Sequence, residues 1–182
     1  VFYQGCDYAT VLIGDQCWFA ENLRSENYEK GDAIPSNLSD SEWENTISGA
    51  VSVYGEDAGC QNASPDIDAC DPAQSLNEYG RLYNWYAVDD SRGLCPSGWH
   101  VPTDGEWTVL TDHLGGESVA GGHMKTDYGW YGYGYGGGNG TNSSGFSGLP
   151  GGYRGISGWF DYAGYEGCWW SSSPFGGGAL YL

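Results

Sequence analysis

β-Branched and aromatic residues fill positions 8–13 (Tyr-Ala-Thr-Val-Leu-Ile), Gly14-Asp15 interrupts them, and Gln16-Cys-Trp-Phe-Ala20 follows. That pattern predicts a β-hairpin. Ser39-Asp-Ser-Glu42 has the spacing of a capping box and predicts a short helix through about Thr46. Residues 55–77 are polar, hold two cysteines and two prolines, and read as a loop. Leu82, Tyr83, Trp85, Tyr86 and Val88 recur at helical spacing, which predicts an amphipathic helix over 79–88. Thr103-Asp-Gly-Glu106 is a second capping box. Trp107, Leu110 and Leu114 then fall on one face, and Gly115-Gly116 stops the helix.

Beyond 126 the pattern changes. Residues 128–140 read Tyr-Gly-Trp-Tyr-Gly-Tyr-Gly-Tyr-Gly-Gly-Gly-Asn-Gly. Glycine opposes a strand here, so a long exposed loop is favoured over an aromatic-faced one. Residues 145–182 carry short apolar pieces broken by glycine pairs, which suits a small, twisted antiparallel sheet. The order of elements predicts an α+β fold, short helices on that sheet with long irregular loops, in a single domain over 1–182. The segment Ala179-Leu-Tyr-Leu182 reads as a strand just begun, so either more chain is expected to follow or another copy to cover that edge.

Composition narrows the function classes. The 182 residues carry a net charge of −18, which disfavours nucleic acid and anionic lipid as partners. No apolar run approaches the roughly 20 residues of a membrane-spanning helix. The 9 Trp, 15 Tyr and 5 Phe set the chain apart from acidic disordered tails, which are poor in aromatics. Six cysteines, none in a CxxC pair, together with the acidity and the Gly-, Asn- and Tyr-rich loops suggest an oxidising, extracellular setting. Cys60 and Cys70 bracket the polar loop and are the best local disulfide pair.

Five ordered strings carry a family resemblance. They are Val11-Leu-Ile-Gly-Asp-Gln-Cys-Trp-Phe-Ala-Glu-Asn-Leu23, Tyr79-Gly-Arg-Leu-Tyr-Asn-Trp-Tyr-Ala87, and Leu94-Cys-Pro-Ser-Gly-Trp-His-Val-Pro-Thr-Asp-Gly-Glu-Trp107. The later two are Gly145-Phe-Ser-Gly-Leu-Pro-Gly-Gly-Tyr-Arg154 and Trp169-Trp-Ser-Ser-Ser173. Over about residues 8–178 the chain resembles the Fibrobacter succinogenes major paralogous domain, a family of secreted bacterial domains. That family in turn resembles the C-type-lectin-like superfamily, which includes formylglycine-generating enzymes. The resemblance implies a C-type-lectin-like fold, secretion, and an irregular loop region as the binding surface; it implies no established activity. It also implies further strands after the Trp-Trp-Ser-Ser segment, so the domain is expected to lack its C-terminal strands or to be a fragment of a longer secreted protein. By analogy with related folds, Cys95 would pair with a cysteine near the C-terminus, here Cys168. Cys6 with Cys17 is a further candidate pair, and an intermolecular bridge through Cys6 is an alternative.

Candidate chemistry is concentrated late in the chain. Tyr128, Trp130, Tyr131, Tyr133, Tyr135, Tyr153, Trp159, Tyr162 and Tyr165, with Arg154 beside them, form the candidate ligand-binding set. Tyr and Trp give rigid contact area, Gly, Ser and Asn give adaptable hydrogen bonds, and sugar rings stack on aromatic faces. Trp85, Trp99, Trp107, Trp169 and Trp170 read as interior residues. Asp66, Asp68 and Asp71 alternate in the polar loop and are the candidate calcium ligands. No catalytic constellation stands out; His100 reads as structural, and His113 suits the last turn of its helix. The expectation is a secreted, non-enzymatic recognition or adhesion domain for a glycan or a surface protein. The alternatives are a subunit of an extracellular filament or array, and an enzyme of the formylglycine-generating or glycosidase type.

Overall fold

A computed structural model describes residues 1–57, 59–132 and 138–174 in full, and the backbone of 179–181. β1 (Phe2–Tyr3) and β2 (Cys6–Asp7) form a small antiparallel ribbon. β3 (Thr10–Ile13) and β4 (Gln16–Phe19) form the expected hairpin about Gly14-Asp15, with Thr10 opposite Phe19 and Ile13 opposite Gln16. α1 (Asp40–Asn45) follows, and β5 (Val51–Ser52) pairs antiparallel with β6 (Leu82–Tyr83) across α2 (Pro72–Tyr79). Then come α3 (Trp85–Val88), α4 (Asp104–His113) and α5 (Glu117–Met124). β7 (Gly151–Arg154) pairs with β8 (Phe160–Ala163), and β9 (Cys168–Trp170) with β10 (Ala179–Tyr181). The fold is α+β. In place of the one small sheet expected, the described strands pair as two-stranded ribbons, with a parallel bridge from Gly152 to Gly167 tying β7 to the approach to β9.

Both capping boxes form. Ser39 and Glu42 close reciprocally on α1, as Thr103 and Glu106 do on α4. The helix expected over 79–88 does not form. α2 ends at Tyr79, and Gly80 takes φ +73°, where a Cβ would lie 2.9 Å from the Leu23 carbonyl oxygen. β6 follows, and Asn84 caps the short α3 by accepting from the Ala87 amide at 3.0 Å. The end of the supposed 55–77 loop, from Pro72 on, is helical instead, because Asp71 accepts from the Ala73 amide and Pro72 occupies the first helical position. α5 carries two glycines and no side-chain cap. Ala120 and Met124 hold it by packing into a core with Ile13, Trp18, Trp107, Leu110 and Phe146. A second core gathers Tyr54, Tyr79, Leu149 and Phe160; a third gathers Tyr28, Ile34, Val51 and Leu94.

The Arg154 side chain is wholly enclosed. Nε donates to the Gly158 carbonyl at 2.8 Å and Nη2 to the Leu38 carbonyl at 2.8 Å. Nη1 donates to Glu56 Oε1 at 3.1 Å, while Asp40 and Asp57 carboxylates lie 3.5 Å from Nη2. Its guanidinium carbon sits 4.5 Å from the Trp43 ring centroid and 4.8 Å from that of Phe160. Arg154, expected at the ligand surface, is therefore an interior residue whose donors are taken up by the fold. Burial pushes the Glu56 carboxyl up, against the lowering effect of the Val53 amide and Arg154. Removing the cation leaves that carboxylate enclosed without its partner. Arg154→Ala should destabilise the chain by about 3–5 kcal/mol in denaturant unfolding. Adding Glu56→Gln to that variant should recover part of the loss.

Candidate functional site

At the turn end of the β7–β8 hairpin, inward and outward residues alternate as in a regular strand. Arg154 points into the interior opposite Phe160, so Tyr153 faces outward opposite Asp161. Between the Tyr153–Asp161 and Gly151–Ala163 pairs the backbone departs from extended geometry on both strands, with Gly152 at φ +61° and Tyr162 at φ +65°. Gly152 is required there, since a Cβ would meet the Asp161 carbonyl at 2.4 Å. Tyr162 has no such freedom, and a bulky residue in the left-handed region costs about 1–3 kcal/mol. Its carbonyl accepts from the amides of Tyr165 at 2.9 Å and Glu166 at 3.0 Å, which hold the turn.

This backbone aligns four tyrosines. The Tyr162 ring stacks on Tyr153 at 5.7 Å between centroids, 24° from parallel, and meets Tyr165 edge-on at 6.4 Å. Tyr165 meets Tyr131 edge-on at 5.0 Å, and the Tyr131 amide donates to the Gly164 carbonyl at 2.7 Å. Tyr131, Tyr162 and Tyr165 are exposed at 42%, 49% and 37%, too much for core rings. Tyr131, Tyr153, Tyr162 and Tyr165 thus form one strip that no spacing rule in the sequence announces. Asp161 and Glu166 flank it. Burial first, and then these two carboxylates, push the Tyr153 phenol up.

The remaining candidates divide. Tyr128 is exposed; burial and then the neighbouring Glu78 carboxylate raise its phenol. Trp159 projects from the β7–β8 turn and is 63% exposed. Trp130 is buried, which corrects the expectation that it lies on the surface. Its indole N–H donates to Thr126 Oγ1 at 3.0 Å and to the Gly148 carbonyl at 3.2 Å, and Lys125 Nζ lies 4.2 Å from its ring centroid. Tyr133 and Tyr135 lie outside the described residues.

Cys60 and Cys70 form the expected disulfide, with Cα atoms 5.9 Å apart. The proposed calcium ligands are not gathered. Asp71 caps α2, Asp68 Oδ1 accepts from Asn62 Nδ2 and the Cys70 amide, and no group of three or more His, Cys, Asp or Glu side chains is poised around a metal among the described residues. Cys6, Cys17, Cys95 and Cys168 are free thiols, so neither Cys95–Cys168 nor Cys6–Cys17 is bridged. Cys6 stands opposite Tyr3 and Cys17 opposite Leu12, in separate ribbons.

A cleft of about 840 Å³ opens beside the strip, lined by Phe19, Trp99, Trp107, Trp169, Trp170 and Tyr153 among others. Trp107 is buried as expected. Trp85, Trp99, Trp169 and Trp170, expected as interior residues, are only half-buried. Trp99 stacks on Phe19 at 4.5 Å. Exposed His100 Nε2 sits 2.8 Å from Glu106 Oε1 on the cleft rim, and hydrogen bonds from the Thr103 amide and from His100 hold the Glu106 carboxyl below its usual range. His123 Nδ1 lies 2.7 Å from Ser143 Oγ, and the His113 ring packs on Gly14. Cys17, Cys95 and Cys168 also line the cleft. Burial pushes the Cys95 thiol up to about 11 and the Cys168 thiol up to about 12.

Two outcomes follow from this geometry. Timed alkylation with iodoacetamide near neutral pH, read by peptide mass, should modify exposed Cys17 well before Cys95 and Cys168, which burial keeps in the unreactive thiol form. Tyr162→Gly should leave the thermal midpoint unchanged or raise it, because relief of the left-handed strain offsets the loss of a half-exposed ring. A clear fall in the midpoint would mean the ring is a packing element.

A search of curated proteins and a search of solved structures each returned no match. Among family models, the Fibrobacter succinogenes major domain matches residues 11–179, nearly the whole chain and all the strings that carried the resemblance. The chain therefore belongs to this bacterial domain family.

Proposed function

We propose that this chain is a secreted, non-enzymatic recognition domain of C-type-lectin-like type, which binds a glycan or a surface protein through its tyrosine strip. The observation that carries the reading is the run of contiguous rings Tyr153, Tyr162, Tyr165 and Tyr131, held on the surface by a strained backbone. Strain of this kind concentrates at binding sites. Aromatic rings of this sort stack on sugars and serve as low-entropy anchors in protein interfaces. An extracellular location agrees with the Cys60–Cys70 disulfide, and no described helix is long and apolar enough to cross a membrane. A non-enzymatic role agrees with thiols that burial keeps protonated, and with His100 paired to a helix-capping glutamate.

The apolar cleft favours a second reading, the subunit of an extracellular filament, because half-buried tryptophans around so large an opening suit coverage by another chain. Light scattering separates the two: a particle of 19.6 kDa fits the recognition module, and a very large one the filament.

The test of the recognition reading is a glycan array together with a bacterial surface-protein pull-down, using the wild-type chain and Tyr131→Ala/Tyr162→Ala/Tyr165→Ala. The triple variant should keep its circular dichroism spectrum and lose at least about tenfold in affinity for whatever the wild type retains. Retained binding by the folded variant would remove the strip from the function.

A further inference from the structure

The chain handles its own cations in a recurring way. Arg92 lies 3.9 Å over the Tyr28 ring and pairs with Asp90 at 2.7 Å and Asp32 at 3.8 Å. Arg24 lies 5.3 Å over Tyr8 and pairs with Glu21 at 2.7 Å. Arg154 lies over Trp43 and Phe160 among Asp40, Glu56 and Asp57. Each guanidinium takes a ring face below it and carboxylates beside it, so that π attraction and charge-assisted hydrogen bonds act together.

The tyrosine strip has the ring and the carboxylates of this arrangement and lacks the cation. Tyr153 stands opposite Asp161, Glu166 acts on the same phenol, and Tyr162, stacked on Tyr153, and Tyr165, edge-on to Tyr162, are exposed beside them. Among the described residues, neither Asp161 nor Glu166 forms an ion pair. The chain's four arginines are all paired elsewhere. Tyr128, exposed three residues before Tyr131, also has carboxylates acting on its phenol, from Glu78 and Asp127.

We propose that the strip docks an arginine-bearing surface of a partner protein, the incoming guanidinium lying on the tyrosine faces and pairing with Asp161 and Glu166. This rests on the recognition reading above and names its partner by chemistry. Arginine fits better than lysine because its planar fork stacks and pairs at once. The net charge of −18 would steer such a partner in from a distance, but the rings and two carboxylates would decide where it lands.

The probe is a fluorescent peptide of alternating arginine and glycine, with lysine–glycine and glutamate–glycine versions and a glucosamine oligosaccharide as competitors, read by anisotropy at low salt. Asp161→Asn/Glu166→Gln should weaken the arginine peptide about tenfold, with lysine already weaker in the wild type. Asp89→Asn/Asp112→Asn removes the same charge from exposed positions at the end of α3 and on α4, outside the strip and the cleft lining, and should change affinity less than about twofold, as screened charges do. Equal weakening by both double variants would show general attraction to a polyanion and overturn the proposal. If Tyr162→Ala weakens the oligosaccharide or the glutamate peptide while Asp161→Asn/Glu166→Gln leaves every probe unaffected, the strip is a recognition site of another kind: the arginine proposal falls and the wider reading stands. If Tyr162→Ala changes no probe while its thermal midpoint holds, both fall.

Discussion

A guanidinium shut away from water imposes more order on this chain than any other single group. Its N–H donors must all find acceptors, because an unpaired buried charge costs several kcal/mol. Arg154 finds them in the Leu38 and Gly158 carbonyls and in Glu56, which lie on three separate parts of the chain. Satisfying those bonds fixes β7 against the start of α1 and against the turn after β5. Trp43 and Phe160 close over the planar group, so the site cannot slide without exposing it. Once Arg154 is placed inward, strand alternation places Tyr153 outward, and the candidate surface begins there.

From Tyr153 the surface is built by backbone and not by side-chain packing. Gly152 donates to the Glu166 carbonyl at 2.8 Å, and Gly164 donates to that of Pro150 at 2.8 Å. These bonds fold the 162–166 turn back on β7 and leave Tyr162 in a conformation a tyrosine rarely takes. The ring gains too little burial to repay that strain. The surrounding cores, with Tyr54, Tyr79, Leu149 and Phe160 directly beneath, carry the cost. Order at a surface, maintained by stability elsewhere, is what a preorganised contact site requires.

Much of the frame was legible in the sequence where a local rule decides it. The two capping boxes, the β3–β4 hairpin and the Cys60–Cys70 loop bridge depend on neighbours a few residues apart, and all form as read. The readings failed where distant contacts decide. Leu82, Tyr83, Trp85 and Val88 keep helical spacing, yet the Leu23 carbonyl leaves room for no side chain at Gly80, and the chain turns into a strand there. α5 survives two glycines only because Met124 and Ala120 reach a core built by β3, β4 and α4. Trp130 sits within a Tyr/Gly run that looks exposed throughout, but a threonine and a carbonyl 18 residues away supply acceptors for its indole. The tyrosine strip was legible as a composition and not as a shape, because its continuity depends on two left-handed residues that no spacing pattern marks.

The distribution of charge separates the two functional readings more sharply than the total does. All four arginines are paired with carboxylates of the same chain, and Lys125 is buried over Trp130. The total of −18 therefore understates how acidic the tyrosine face is, since few cations are left to offset Asp127, Asp161 and Glu166. Two copies meeting strip to strip would bring like charges together and strip water from them, which is costly. Self-assembly through this face is thus disfavoured by the groups that suit it to a cationic partner. The cleft is different: Trp18, Phe19, Trp99, Trp107, Trp169 and Trp170 are among its lining residues, and Glu106 on its rim is already held by a helix cap and His100. A filament, if the domain forms one, would be held through the cleft, with Tyr131, Tyr162 and Tyr165 left facing outward toward something of opposite charge.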